Sequence, residues 1–187
     1  MRELELLYRG SLKSCNYQCS YCPFSKRRMS ERELKRDQEQ WEQFVRTMEE
    51  NADRLKIRSL MVIPYGEALI HAWYWEGLGR LGAIPGIQAT GAQTNLSFSV
   101  SESLKCLKEA GGKCEKLYLW ATFHPEMVSV EAFSETCRTL LQEGIHLCAG
   151  AVGVPKNIRL LQELRAALPG DLYLWINRMD GLRRSYT

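Results

Sequence analysis

Three of the seven cysteines stand within eight residues: Cys15, Cys19 and Cys22 in Ser14-Cys-Asn-Tyr-Gln-Cys-Ser-Tyr-Cys-Pro23. Their spacing is C-x3-C-x2-C, on a polar segment directly after the first strand-like run. Thiolates are soft ligands that select zinc, copper(I) or iron–sulfur clusters, and three so close together can converge on one centre. Three is also an odd number. Closed structural zinc sites take four ligands, and ordinary iron–sulfur clusters are held by four cysteines. A three-cysteine site either borrows a distant fourth ligand or leaves one metal position open, where a small molecule can bind. The remaining cysteines, Cys106, Cys114, Cys137 and Cys148, show no C-x2-C spacing, so no second cluster is expected. Cys137 falls on the apolar face of a helical pattern, where a thiol packs as a small hydrophobe.

The elements that must position these thiols follow from periodicity. Leu4, Leu6, Leu7 and Tyr8 form a short strand that stops at Gly10. From Ser11 to about Met29 there is neither a helical nor a strand period, and so long a loop in a compact domain is usually functional. This one, about residues 11–29, contains all three clustered cysteines. Ser30-Glu-Arg-Glu33 is a capping box, opening a helix with Leu34, Trp41, Phe44, Val45, Met48 and Leu55 on one face. Strands over 57–64, 87–94, 117–123, 145–152 and 172–176 then alternate with helices over 68–81, after Ser99, after Ser129 and from Pro155. Gly111-Gly112 and Gly144 are the stops. Six strands alternating with five helices predict an α/β fold with a parallel sheet, a partial (β/α)6 TIM-like barrel. In barrels of this type the chemistry sits on loops at the C-terminal strand ends. The cysteine loop, following the first strand, occupies that position.

Composition narrows the class. A length of 187 residues fits one domain, 1–187, with a real core, and a net charge of +3 demands neither nucleic acid nor a membrane surface. The opening Met1-Arg-Glu-Leu-Glu-Leu-Leu7 carries charges where a signal peptide is apolar, and no apolar run approaches the ~20 residues of a membrane helix. Cysteines in such a chain read as metal or redox chemistry rather than disulfides, and a cytoplasmic location is expected.

The spacing C-x3-C-x2-C, with aromatic Tyr21 before the last cysteine, resembles the cluster loop of the radical S-adenosylmethionine superfamily. The resemblance implies a partial (β/α)6 barrel whose Cys15, Cys19 and Cys22 hold three irons of a [4Fe–4S] cluster. The fourth iron would be chelated by S-adenosylmethionine, which is cleaved reductively to methionine and a 5′-deoxyadenosyl radical that abstracts hydrogen from a substrate. It also implies an electron donor of the flavodoxin or ferredoxin type.

Further stretches carry the likeness at successive strand ends. Pro64-Tyr-Gly-Glu-Ala68 is similar to the family's Gly-Gly-Glu-Pro motif, with Tyr65 and Ala68 departing from it. Gly66 and Glu67 would then receive the methionine ammonium, a charge-assisted contact; a tight turn with a solvated Glu is the other reading. Gln93-Thr-Asn95 stands where relatives often carry Thr-Asn-Gly, so Asn95 either supports the turn or reaches the cofactor. Thr122 matches a hydroxyl residue that contacts ribose or the methionyl carboxylate. Val152 is matched more loosely to an adenine contact, and Tyr21 to a backbone contact with adenine. His124, after a strand end and before Pro125, either touches cofactor or substrate, shapes its loop, or supplies a missing metal ligand. Asn177 could face the same pocket.

The substrate is less defined. Phe123-His-Pro-Glu126 is similar to a stretch in peptide-modifying members, which favours a peptide; a small-molecule substrate stays open, and a glycyl-radical-type activase acting on a protein partner is the alternative. Other readings are a non-catalytic zinc or iron–sulfur binding module completed by His124 or Cys148, and a thioredoxin-like use of Cys19-Ser-Tyr-Cys22, which leaves Cys15 unexplained and opens no helix. Lys26-Arg-Arg28 is either a solvated face or a grip on an acidic substrate or a nucleic acid backbone. Because the chain stops soon after the sixth strand, a partner, a large substrate or a missing C-terminal segment is expected to cover the open side of the barrel.

Overall fold

The fold was obtained as a computed structural model that describes residues 3–24 and 27–178. Six strands alternate with five α-helices: β1 (Leu4–Tyr8), α1 (Glu31–Asn51), β2 (Ile57–Val62), α2 (Ala72–Ala83), β3 (Ala89–Thr94), α3 (Val100–Glu109), β4 (Leu117–Phe123), α4 (Val130–Gln142), β5 (His146–Gly153), α5 (Ile158–Ala167) and β6 (Leu174–Arg178). All five neighbouring pairs are parallel, in the order β1-β2-β3-β4-β5-β6. The sheet curls into a half-barrel, as the β/α alternation predicts.

Each strand alternates between two environments. Leu60, Val62, Ala92, Leu117, Leu119, Ala121, Phe123, Ala149 and Ala151 are buried against the helices. Trp41, Tyr74, Trp75, Phe123 and Phe133 are the largest fully buried side chains of this layer, each worth about 1.5–3 kcal/mol as a burial contribution. The opposite positions, including Trp120, Thr122, Gly150 and Val152, face the concave side. The loops that gather there are therefore placed by a core on the far side of the sheet.

The boundaries explain where sequence period alone falls short. Ser30 caps α1 through a reciprocal box with Glu33, as read from the sequence. Leu55, expected on that helix, lies beyond its end in a turn and is 36% exposed. The helix α2 begins at Ala72, four residues later than its apolar run, because Glu67 to Ile70 are held in the loop by the bonds described below. Ser129 accepts from Ala132 N, whereas Ser99 makes no side-chain cap bond. Pro155 opens a single 3-10 turn (Pro155–Asn157) rather than α5 itself. Gly111 (φ 85°) and Gly144 (φ 80°) take the left-handed backbone after α3 and α4 that glycine adopts without steric cost.

Candidate functional site

A cavity of about 330 Å3 opens at the C-terminal ends of the strands, within the ~300–1,000 Å3 of small-molecule pockets. Cys15, Cys19, Cys22, Tyr21, Gly66, Glu67, Asn95, Thr122, His124 and Val152 all line it, joined by Asn177 and Arg178 at the end of β6. These ten candidates and Asn177 thus border one space, although they come from six different strand ends. All seven cysteines are free thiols.

The irregular cysteine loop is held by bonds to almost every neighbouring strand end. At its start, Leu12 is fully buried, and Ser11 Oγ donates to Asp37 Oδ1 at 3.0 Å. Asp37 is itself buried on α1 and accepts a second bond, 2.8 Å, from the Tyr74 hydroxyl. Burial, with Asp37 alongside, pushes the Tyr8 phenol up to about 12. From the β2 end, Gly66 N donates to Leu12 O at 3.3 Å and Glu67 N to Ser14 O at 3.0 Å. Gly66 lies so close to the loop that a Cβ there would stand 1.9 Å from the Ser14 carbonyl oxygen; only glycine permits the approach. From the β4 side, Glu126 accepts from Ser20 N (2.7 Å) and Ser20 Oγ (2.6 Å). His124 Nδ1 is 2.9 Å from the Tyr21 hydroxyl, and its ring stacks on Tyr21 and meets Tyr17 edge-on.

These partners give each group a defined electrostatic state. Glu67 is only 3% exposed and accepts three hydrogen bonds: Leu69 N at 3.1 Å and Thr94 Oγ1 at 2.9 Å on one oxygen, and Asn95 N at 2.6 Å on the other. Burial pushes its carboxyl up to about 7, while the three donors pull the other way. Burial also holds His124 neutral, down to about 4, so it accepts or donates through one tautomer and carries no charge. The Cys19 thiol is raised to about 11, chiefly by burial, and Cys15 is raised for the same reason. Cys15 Sγ nevertheless receives two donors, Tyr17 N at 3.4 Å and Asn95 Nδ2 at 3.7 Å. Asn95 also donates to Asn16 Oδ1 at 3.2 Å, so it supports the turn and reaches a sulfur together.

Leu96, the next residue, is in the left-handed region (φ 59°), which glycine adopts without steric cost. That conformation costs an L-residue about 1–2 kcal/mol. It is held by Thr94 Oγ1, which accepts from Leu96 N at 3.0 Å, and by burial of the leucine side chain.

The donor set fits a cluster with one open position. Three thiols border one cavity together with the buried Glu67 carboxylate, and hydrogen-bond donors already face the Cys15 sulfur. Among the described residues no three His, Cys, Asp or Glu side chains converge as ligands of a single ion; a cubane takes its thiolates on separate irons, which asks for thiols around a space rather than at a point. Cys148, the alternative fourth ligand, sits mid-strand in β5 and does not border the cavity; His124 does border it.

Three holding residues escape a reading of the sequence alone. Asp37 left a signal, a charged residue three after Leu34 and four before Trp41 on an apolar helical stripe. Ser20 left none, and the 123–126 stretch that includes Glu126 gave no sign of a partner 106 positions away. Of the basic run at 26–28, Lys26 lies outside the described residues, Arg27 forks onto Glu33 at 3.0 and 2.6 Å, and Arg28 is exposed. No helix among the described residues is long and apolar enough to cross a membrane. No protein-family model matches the chain, and no curated protein matches it significantly.

Proposed function

We propose that this chain is a radical S-adenosylmethionine enzyme. The observation that carries the reading is the meeting of three free thiols with a buried glutamate and backbone amides around one strand-end cavity. When bound there, a [4Fe–4S] cluster and S-adenosylmethionine supply reductive cleavage of the sulfonium and a 5′-deoxyadenosyl radical that takes hydrogen from a substrate.

The chain's own residues bind, orient and exclude water. Cys15, Cys19 and Cys22 are the ligands, and the amides of Tyr17 and Asn95 steady negative charge on the Cys15 sulfur. Glu67 receives an ammonium: its buried carboxylate gains from a cation what burial withholds from it. Thr122 and Val152, on the inner face of β4 and β5, line the wall toward β6. Tyr21 and His124 brace the loop against the end of β4 rather than offering a free acid or base. His124 and Glu126 are thus engaged in holding the loop, which leaves Asn177 and Arg178 to meet the substrate. A peptide remains the proposed class, taken from the likeness of residues 123–126.

The test is anaerobic reconstitution with iron and sulfide, followed by S-adenosylmethionine and dithionite. 5′-Deoxyadenosine is the expected product, lost when any of Cys15, Cys19 or Cys22 becomes alanine. Protein that holds iron and sulfide but neither binds nor cleaves S-adenosylmethionine overturns the reading. One tightly held zinc on the same cysteines would instead make the site a structural module.

A further inference from the structure

The two outer strands of the sheet are protected to different degrees. β1 has a register shift between Leu4 and Glu5, a charged residue within the strand at Glu5, and a Glu3–Arg58 ion pair beside it. Bulges and charges of this kind keep an edge from pairing with another chain. β6 has neither from Leu174 to Asn177, and its register with β5 is regular. No strand lies beyond it among the described residues. The Ala149 amide donates to Tyr173 O at 2.9 Å, which sets the alternation of the parallel ladder. Tyr173, Trp175 and Asn177 therefore turn their backbone groups toward β5, and Leu174, Ile176 and Arg178 turn theirs to the open side.

The two faces of this edge differ as well. On the outer face, Leu174 and Ile176 border an apolar groove of about 690 Å3 with Val154, Ile158 and Leu161. Ile158 is 57% exposed there and Ile176 54%. On the inner face, Trp175 lies across Gly150 so closely that no Cβ fits there, and it meets Trp120 edge-on. That level of the concave side is filled. Two residues on, Asn177 borders the strand-end cavity and is exposed. Arg178 lines the same cavity and has no carboxylate partner among the described residues. Lys156 faces Glu126 at 3.8 Å, but that carboxylate is already taken by Ser20. The end of the edge nearest the cavity is thus cationic.

We infer that the β6 edge binds an extended peptide as a seventh strand, apolar at alternate positions and with a carboxylate beside Arg178. The inference rests on the proposed function, whose substrate class it makes specific. Outward backbone groups at every second residue are met by another extended chain, whereas a helix spends its own groups internally. Side chains directly opposite each other on neighbouring strands share a face. Peptide residues opposite Leu174 and Ile176 therefore enter the apolar groove. The residue opposite Trp175 must be small, because the indole fills the space. The residue opposite Asn177 points into the cavity, and the next one, opposite Arg178, carries the carboxylate. The residue delivered to the cavity is thus flanked by an apolar side chain on one side and an acidic one on the other.

The probes are two end-capped heptapeptides, Ser-Val-Ser-Val-Ser-Asp-Ser and its reverse, which suit parallel and antiparallel pairing with β6. Titration calorimetry on the reconstituted protein should show saturable binding of one of them. Ile158→Glu, a change at an exposed position that sets a charge in the groove, should weaken it at least about tenfold. N-methylation of the valine amides should abolish binding and that of the serine amides spare it, or the reverse, because only alternate amides face β6. Amide hydrogen exchange at Leu174 and Ile176 should be fast in the free protein and slow with peptide bound. Failure of both peptides to bind a protein that forms 5′-deoxyadenosine overturns the strand site alone. So does binding that survives both N-methylations, or equal affinity in Ile158→Glu. Slow exchange at Leu174 and Ile176 without peptide would mean that residues 179–187 or a second copy of the chain covers the edge, and overturns it too. Peptide binding to a loaded protein that forms no 5′-deoxyadenosine removes the functional reading, and with it the peptide's standing as substrate.

Discussion

Two hollows open at opposite ends of the same strands. The one at the C-terminal ends measures about 330 Å3. The other lies at the N-terminal ends of β4 and β5, among Met61, Tyr118, Trp120, His146 and Cys148, and measures about 550 Å3. The larger hollow holds a single thiol. Its aromatic rings mostly satisfy one another, with Tyr118 stacked on His146 at 4.2 Å and Trp120 edge-on to Trp175 at 5.3 Å; the Trp120 indole N–H has no hydrogen-bond partner there. The smaller hollow has three thiols, a buried carboxylate and donors already turned toward them. Size is a poor guide to function here; convergence of groups that can bind charge is the better one. The two ends also differ in how backbone reaches them, since the upper end receives a long irregular loop tied down from β2, β3 and β4.

The sharpest way to break this comparison is to exchange the thiols. Alanine at Cys15, Cys19 or Cys22 should abolish iron and sulfide retention, whereas Cys148→Ala in the lower hollow should leave both unchanged. Loss of the cluster in Cys148→Ala would dissolve the distinction between the hollows.

Glycines come next. Gly66→Ala forces a Cβ into the Ser14 carbonyl, so the cysteine loop must move, and iron retention should fall nearly as far as in the cysteine variants. Gly170→Ala, where a Cβ meets nothing within 4 Å, should change stability by no more than about 0.5 kcal/mol. Chemical denaturation and iron analysis on the two proteins measure both effects.

Glu67 sharpens the comparison through pH. Its folded-state carboxyl titrates near 7, above its ordinary 4.5, so the folded state holds a proton that the unfolded chain releases. The stability this gives is fully present below about pH 4.5 and is lost as pH rises through about 7, on the order of 3 kcal/mol in all. A bound ammonium favours the ionised form. Affinity for S-adenosylmethionine should therefore fall as pH drops below 7, by up to about tenfold per unit, as measured by equilibrium binding. Glu67→Ala should flatten that slope. By stranding the donors Thr94, Asn95 N–H and Leu69 N–H, it should also cost about 2–4 kcal/mol at pH 6. A pH-independent affinity in the wild type would remove the ammonium contact.

The smallest effect belongs to the β4 clamp. Glu126→Ala removes two short bonds to Ser20, at a partly exposed site where about 1 kcal/mol is at stake. Its signature should be faster cluster loss under air with an unchanged melting temperature to within a few degrees.

What the sequence determined by itself is everything that depends on near neighbours along the chain. The capping box at Ser30 and Glu33, the 3.6-residue stripe from Leu34 to Met48 and the bounds of β4 are set by local hydrogen bonds and by which side chains share a face. Repeating that pattern six times leaves a parallel half-barrel as its packing solution, and a cysteine loop after β1 lies by necessity at the C-terminal end. The spacing of Cys15, Cys19 and Cys22 was equally legible, because thiols within eight residues need no fold to bring them near. Only the tertiary structure decided what holds them. Asp37 under Ser11, Gly66 against Ser14, Asn95 on Cys15 and Glu126 on Ser20 join residues 26 to 106 positions apart. The delayed start of α2 and the left-handed Leu96 come from the same source. The buried Glu67 carboxylate draws donors from across two strand ends, and those long-range bonds outweigh the local preference of the residues that make them.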